Sequence, residues 1–506
     1  MLSKNDSTSI QRSEEDPEKR PLLHSTSDNK WILLGLEELK CQAGGPRWQA
    51  FRTRLLIILS VAWMGMLGTA IAIIVQSLSA PSHTLEWWET GSFYQLEVPV
   101  FCDSNSDGIG DLNGILIQLP YLQSLKVNAL LLGSLYSRDG SGQPFNLTSI
   151  NATLGTTEDF KKLLLVARGV GIRILLDFCN RTWQGDPVPA ESHRGSVMSK
   201  VKNALQFWLD LNVAGFRICN EDLLLTNETL LHWRRALKHH SPDRQDDQRV
   251  LIVSDVNGLL RTETTAFQKT NGSLAPLLYT QQLLPPSVKG SSLHEAVRQA
   301  LQGQPTSWPI WVVGGPGVGH MASQVADLQR VFAVLSFTLP GPHFIYYGDE
   351  IGLAELQNGF PTNTPSMKWK AHQKSGVTES STGVSSEGDQ DSVEAQLHIR
   401  NSIFHLFQSL ASLRLREVAL RSSEFSLIPT NVTTVLAFSR SWRCSHFLVV
   451  LNFGESLTTE LPVGLNSRWA VVLSSSMNRR DSVFPSTLFL AAREALVIKL
   501  AANERA

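Results

Sequence analysis

Apolar residues are distributed along this chain in three distinct ways. From Leu55 to Val75 (LLIILSVAWMGMLGTAIAIIV) they form an unbroken run of 21 residues without a charge. At 1.5 Å rise per residue such a run covers about 32 Å, enough to cross a hydrocarbon core. It is too long for a cleaved secretory signal, and it lies too far from the N-terminus. From residue 87 onward short β-type runs alternate with helical patterns. Candidate strands are 94–101, 128–136, 171–178, 214–219, 249–255, 276–281, 309–314 and 343–347. Between them lie amphipathic stretches such as 156–169 and 199–212. The first of these opens on Thr156 and Asp159, a capping-box start, and ends at Gly169 and Gly171 before the buried run IRILLDF. After about residue 415 the helical period disappears, leaving short strands (TTVLAFSR, HFLVVLNFG, RWAVVLSS, ALVIKLA) separated by turns.

Eight strands alternating with helices predict an α/β (β/α)8 TIM barrel, whose functional face is the C-terminal end of its strands. The later strands predict an antiparallel β-sandwich. The expected organisation is a single-pass membrane protein. It has a largely disordered tail at 1–54, a span at 55–75, a neck at 76–86, a barrel at 87–414 and a sandwich at 415–506. Within the tail, 30–41 (KWILLGLEELK and Cys41) turns apolar again and reads as a short helix. Residues 354–395 are rich in Ser, Gly and Thr and read as a long loop.

The flanking charges give the span a direction. Arg47, Arg52 and Arg54 precede it, and no Lys or Arg comes after it until Lys126. Positive-inside orientation then puts the N-terminus in the cytosol and everything after residue 75 outside. Sequons at Asn146, Asn151, Asn180, Asn227, Asn271 and Asn431 all fall on the outer side, as candidate glycosylation sites. Gly65, Gly68 and Ala72 supply small residues at helical spacing within the span.

Composition changes this picture little. With 45 basic and 46 acidic residues the net charge is −1, which argues against nucleic acid as a partner. A mean hydropathy near zero leaves room for one span and not for several. Five cysteines in 506 residues make no disulfide scaffold. Cys102, Cys179 and Cys219 fall near the ends of the first, third and fourth strands and are expected as free, inert thiols.

The stretches WWETGSFYQLEVPVFCDSNSDGIGDLNGI, LGTTEDF, GIRILLDF, GFRI, LPGPHFIYYGDEIGL and FLVVLNFGES resemble the α-amylase family of glycoside hydrolases, oligo-1,6-glucosidase branch. The resemblance implies the same barrel and sandwich, without the domain that most relatives insert after the third strand. Retaining glycosidases need a nucleophilic carboxylate and an acid/base carboxyl about 5 Å apart. The family places its nucleophile two residues past the Arg of G-F-R-x-D, where this chain has Cys219 after Arg217. The acid/base Glu is replaced by Asp255, and the third carboxylate of the N-H-D triplet by Gly317, after Gly315 and Pro316. The third-strand motif is also broken, reading Asp177-Phe178-Cys179-Asn180-Arg181. These degenerate positions predict a catalytically inactive glycoside-hydrolase-like ectodomain. An unpaired buried guanidinium is costly, so Arg217 is expected to be neutralised by Asp177, Asp255 or both.

Asp103, Asn105, Asp107, Ile109 and Asp111 form a D-x-N-x-D-G-x-G-D loop. It alternates oxygen donors with glycines, as a tight loop around a hard cation requires. Relatives that carry this loop bind Ca²⁺, so the resemblance implies a structural Ca²⁺ held by four side chains and the Ile109 carbonyl. The alternative is a solvated acidic turn.

A cytosolic tail, one span and an α-amylase-like ectodomain without its catalytic set resemble the heavy subunits of heteromeric amino-acid transporters, solute carrier family three. GLEELK, RWQAFRTRLLIILSVAWMGMLGTAIAIIV and LEWWETGSFY carry that likeness, and the missing inserted domain favours the cell-surface antigen heavy-chain type. The resemblance implies an ancillary chain that associates with a polytopic amino-acid transporter light chain and promotes its delivery and stability. Heavy chains of this family bear a Cys just outside the span that bonds to the light chain. Here Ser82 and His83 stand in that region, so the association is expected to be non-covalent. Competing readings are a membrane-anchored α-glucosidase and a stand-alone cell-surface receptor or adhesion protein.

Overall fold

The computed structural model describes residues 22–25, 31–35, 37–38, 44–78, 86–136, 146–179, 191–219, 225–241, 248–254, 274–283, 293–301, 308–316, 318–355, 364–370, 391–421, 425–443, 445–461, 469–483 and 487–500. The chain divides into two compact units, Met1–Thr84 and Leu85–Ala506. Asn180, Asp255, Asn271, Gly317, Ser82, His83 and most of the 354–395 stretch lie outside the described residues.

In the first unit the apolar run is one helix, α1 (Pro46–Leu78), of 33 residues. Its central stretch is long and apolar enough to cross a membrane, and none of it is buried within the chain. Trp48 and Phe51 stack in its first turns with ring centroids 5.3 Å apart, a position typical of aromatic residues at a membrane–water boundary. The tail departs from expectation. Leu22–Ser25 (β1) and Trp31–Leu34 (β2) pair as an antiparallel hairpin, where the sequence predicts disorder over 1–29 and a helix over 30–41. The two segments satisfy each other's backbone in this way. Trp31-Ile32-Leu33-Leu34 has no polar positions at helical spacing to oppose it.

The second unit begins with the barrel. Its strands are β3 (Ser92–Glu97), β4 (Ala129–Gly133), β5 (Arg173–Asp177), β6 (Gly215–Cys219), β7 (Val250–Ser254), β8 (Leu277–Gln282), β9 (Ile310–Val312) and β10 (His343–Tyr346). All pairings are parallel, and β10 closes the ring on β3 through His343↔Ser92. Each of the eight expected strands is present. The first is shifted: Val98–Phe101 leaves the sheet as a helical turn, because Pro99 has no N–H to give to a ladder. Alternate side chains fill the barrel, with Phe93, Leu131, Leu175, Val250, Ile252 and Phe344 in one cluster. The intervening ones, such as Tyr94, Leu130, Leu132 and Leu176, pack outward on the helices. Gly215 fits because a Cβ there would lie 2.3 Å from the Val250 carbonyl oxygen.

The principal surrounding helices are α2 (Leu112–Ile117), α3 (Thr157–Gly169), α4 (Glu191–Asp210), α5 (Asn227–His240), α6 (Leu293–Leu301), α7 (Gln329–Thr338) and α8 (Ile403–Arg416). α3 carries the capping box read from its sequence: Asp159 N–H donates to Thr156 Oγ1 (3.2 Å) and Thr156 N–H to Asp159 Oδ2 (2.9 Å). α4 starts at Glu191, soon after β5 ends at Asp177, so there is no inserted domain between them.

The sandwich strands are β11 (Phe425–Ile428), β12 (Val435–Trp442), β13 (Ser445–Asn452), β14 (Leu457–Thr459), β15 (Trp469–Ser474), β16 (Ser482–Val483), β17 (Leu488–Leu490) and β18 (Ala495–Leu500). Six form an antiparallel sheet in the order β11-β12-β13-β18-β15-β16, and β14 pairs with β17 as a second sheet. The period of two sorts their side chains. Val435, Ala437, Leu448 and Val450 meet the second sheet, while Leu436, Phe438, Phe447 and Val449 join the barrel's core. At that junction the Arg414 guanidinium donates to the carbonyls of Phe337 (2.7 Å), Leu339 (2.9 Å) and Gly341, and Arg440 donates to Thr338 (2.6 Å). Two buried cations thus cap the C-terminus of α7.

Candidate functional site

Two groups of residues stand at the C-terminal ends of the barrel strands, and the first brings together Asp177, Arg217, Cys179 and Cys219. In the first, β5 and β6 run in register with Asp177 opposite Arg217. Arg217 Nη1 lies 3.0 Å from Asp177 Oδ2, its Nε donates to Ser254 Oγ (2.9 Å), and Thr280 Oγ1 donates to the same hydroxyl (3.1 Å). Gln95 Nε2 adds a bond to Asp177 Oδ2 (3.1 Å), and the Cys179 N–H one to Oδ1 (2.9 Å). The expected neutralisation of Arg217 by Asp177 is therefore present. Burial pushes the Asp177 carboxyl up, and the adjacent guanidinium opposes that shift.

The cysteine expectation is corrected here. Cys179 and Cys219 are joined in a disulfide, with S–S 2.11 Å and Cα–Cα 4.9 Å. The reason lies in the register. Each Cys stands two residues beyond the paired Asp177 and Arg217, so the two side chains emerge side by side on the same face. The residue at the family's nucleophile position is thus neither a thiol nor a thiolate. Cys102 remains a free thiol among the described residues, accepts a bond from Gln118 Nε2 (3.7 Å), and is pushed up by burial.

The second group lies beyond β9 and β10. Gly315 and Gly319 close a tight turn through paired main-chain bonds (3.1 and 2.9 Å) where the family carries its third carboxylate. Beside this turn lie His320, Asp349, Glu350 and Glu355, to which the sequence alone assigns no role. Asp349 is buried, accepts the Met321 N–H on Oδ1 (2.7 Å), and is raised to about 7 by burial, against the pull of His320. Glu350 is buried too, and its Oε1 accepts from the hydroxyls of Tyr94 (2.7 Å) and Tyr121 (2.6 Å). His320 Nδ1 is 3.0 Å from Glu355 Oε1, and its Nε2 is 3.0 Å from the Tyr347 carbonyl oxygen. A signal was available: the acidic pair of YYGDEIG comes directly after a wholly buried strand and Gly348 at φ +83°.

The 103–111 loop sits at the end of the turn after β3. Asp103 accepts N–H bonds from Asn105 (3.0 Å), Ser106 (2.6 Å) and Gly108 (2.8 Å), and Asp107 accepts from Ile109 (2.8 Å) and Asn105 Nδ2 (2.9 Å). Asp111 turns inward as the N-cap of α2, accepting from Gly114 (2.7 Å) and Ser104 (3.1 Å). No group of three His, Cys, Asp or Glu side chains is placed to hold a metal ion among the described residues. As folded, the Asp103 and Asp107 carboxylates both accept N–H groups of the loop itself. Among the sequons, Asn146 and Asn431 are exposed, and Asn151 and Asn227 are half-buried.

Comparison with known proteins bears on both units. The profile of the alpha amylase catalytic domain matches residues 98–182 and 316–423, and that of the solute carrier family 3 member 2 N-terminus matches 22–94. The amino acid transporter heavy chain SLC3A2 of Oryctolagus cuniculus is 32% identical over 469 residues, covering 89% of this chain and 84% of its own length. The human heavy chain SLC3A1 is 24% identical, covering 90% and 84%. Among solved structures the α-glucosyl transfer enzyme XgtA superposes with a TM-score of 0.63 at 17% identity, over 83% of this chain and 100% of its own. That likeness is one of fold.

Proposed function

Because the chain belongs to the SLC3A2-like family of amino acid transporter heavy chains, we propose that it is the ancillary subunit of a heteromeric amino-acid transporter, with no glycosidase activity of its own. The partner is a polytopic light chain, which this chain delivers to the plasma membrane and stabilises. One apolar helix cannot enclose a translocation path, so transport falls to the partner. The orientation is type II, with the N-terminus cytosolic. Arg47, Arg52 and Arg54 support it, and so does the Cys179–Cys219 disulfide, which needs an oxidising compartment.

Cys219 carries the non-catalytic part of this reading. A retaining glycosidase forms its covalent intermediate on a free carboxylate, and here that position is a sulfur already bonded to Cys179. Asp177, on the adjacent strand, is tied to Arg217. Association with the light chain is non-covalent, since Ser82 and His83 occupy the region of the usual linking Cys. A Ca²⁺ ion held by Asp103, Asn105, Asp107, Asp111 and the Ile109 carbonyl would have a structural role.

Co-expression with candidate light chains tests the reading. Surface delivery and amino-acid uptake are expected to require this chain, and non-reducing gels to show no adduct between the two. Uptake that is independent of the chain overturns the subunit reading. Hydrolysis of α-glucosides that vanishes in D255N would instead establish a membrane-anchored α-glucosidase.

A further inference from the structure

Three of the sequons among the described residues stand on one face of the barrel. Asn146 and Asn151 lie between β4 and α3, and Asn227 is the first residue of α5, after β6. The segment joining a barrel strand to the helix that follows it lies at the C-terminal end of the strands. That is the face where Asp177, Arg217 and the Cys179–Cys219 disulfide stand.

The asparagines of this face are held in contrasting ways. Asn146 is exposed, and its Oδ1 accepts both the Thr148 N–H (2.9 Å) and the Thr148 hydroxyl (2.6 Å). These side-chain contacts fall on the oxygen and leave Nδ2 to solvent. The loop beneath is fixed at several points. Trp208 Nε1 donates to the Leu147 carbonyl (2.7 Å), Ile150 bridges to Tyr136, and the Asn151 N–H donates to the Leu135 carbonyl (3.0 Å). Asn227 is the opposite case. Its Oδ1 is fully buried, and Nδ2 hangs from the same carbon, so a sugar there would begin against packed side chains. The hydroxyl of its sequon is also engaged elsewhere: Thr229 N–H donates to Thr226 Oγ1 (3.3 Å), and the two hydroxyls lie 2.9 Å apart at the N-cap of α5. A bulky, solubilising glycan fits the first setting and not the second.

On the basis of the outward orientation inferred for the residues after the span, we propose that Asn146 carries an N-linked oligosaccharide rooted on the rim of the barrel mouth, and that Asn227 on the same face stays unmodified. The donor is a lipid-diphosphate-linked oligosaccharide of the secretory pathway. Asn146 Nδ2 bonds to its anomeric carbon, and the bond from that carbon to the diphosphate oxygen breaks. The lipid diphosphate leaves with the electron pair, and Nδ2 gives up one proton.

Occupancy is read on the full chain purified from a eukaryotic host, treated with an N-glycanase in heavy-oxygen water, digested and analysed by mass spectrometry. The enzyme leaves a labelled aspartate wherever a glycan was attached. The label is expected at position 146 and not at position 227. N146Q and T148A are each expected to lose the mobility shift of one glycan, and N227Q to migrate with the wild type. An unlabelled Asn146 beside a label at any other sequon overturns the proposal while the orientation stands, and so does a label at Asn227. No label at any sequon overturns both. The wild-type chain alone decides, so a variant that fails to fold does not obscure the result.

Discussion

Asp177 and Asp349 are both buried acids at the barrel mouth, yet they answer different needs. Asp177 balances Arg217 and orders Cys179, Gln95 and, through the guanidinium, Ser254. Removing one member of such a pair strands a charge, whereas removing both costs far less. Asp349 has no cation in hydrogen-bond contact, and burial holds its carboxyl near 7 against an ordinary 3.8. Its folded pKa lies above its unfolded one, so the folded state binds the proton more tightly. The contribution is therefore fully present below about 3.8 and is lost as pH rises to about 7. D349N keeps an oxygen for the Met321 N–H and removes that dependence. Its Tm is expected to fall less than the wild type's between about pH 5 and about pH 8. Parallel Tm curves would contradict the assignment. At this scale the sequence was partly legible. The offset of 40 between Cys179 and Cys219 equals that between Asp177 and Arg217, so the disulfide can be inferred once the strand register is known. His320 and Glu355 are 35 positions apart on different segments, and no periodicity joins them.

The elements themselves were written more plainly. Strand positions emerged from buried runs bounded by turns, because a parallel strand covered on both faces must be apolar throughout, as β4 and β7 are. The elements that depart from the pattern had competing signals. Pro99 ended β3 early, and the tail's Trp31-Ile32-Leu33-Leu34 found a strand partner in Leu22–Ser25. Arg414 is also illegible in the sequence, since an arginine in the last turn of an amphipathic helix reads as solvent-facing. It is instead buried, and burial, helped by Arg421, lowers it to about 9. The 103–111 loop is the element whose state a metal titration decides. If it opens to take Ca²⁺, the ion is expected to raise Tm by a few degrees over a chelator-treated sample, and D103N to abolish the rise. Equal Tm values would leave the loop as a turn sealed by its own N–H groups.

The whole molecule joins an apolar helix to a barrel and sandwich, with a disulfide between the ends of β5 and β6. Its orientation has a direct readout in the sequons. Asn146 and Asn431 are exposed on opposite parts of the ectodomain sequence, one before α3 and one between β11 and β12. Treatment with an N-glycanase is expected to increase the mobility of the wild type, and less so that of N146Q/N431Q. A mobility unaffected by the enzyme would contradict an outer ectodomain. The broad architecture was legible because each unit has its own period: none in the span, alternating helix and strand in the barrel, and two in the sandwich. The arrangement of the mouth was not, since its contacts join segments far apart in the chain.

The closing pair of the barrel also sets a schedule. Ser92 pairs with His343, 251 positions further along the chain. At about 5–20 residues per second, β3 is made roughly 13–50 seconds before its last neighbour. Over that interval the first strand offers an open edge. Premature ends anywhere before β10 therefore leave an unclosed sheet rather than a smaller domain.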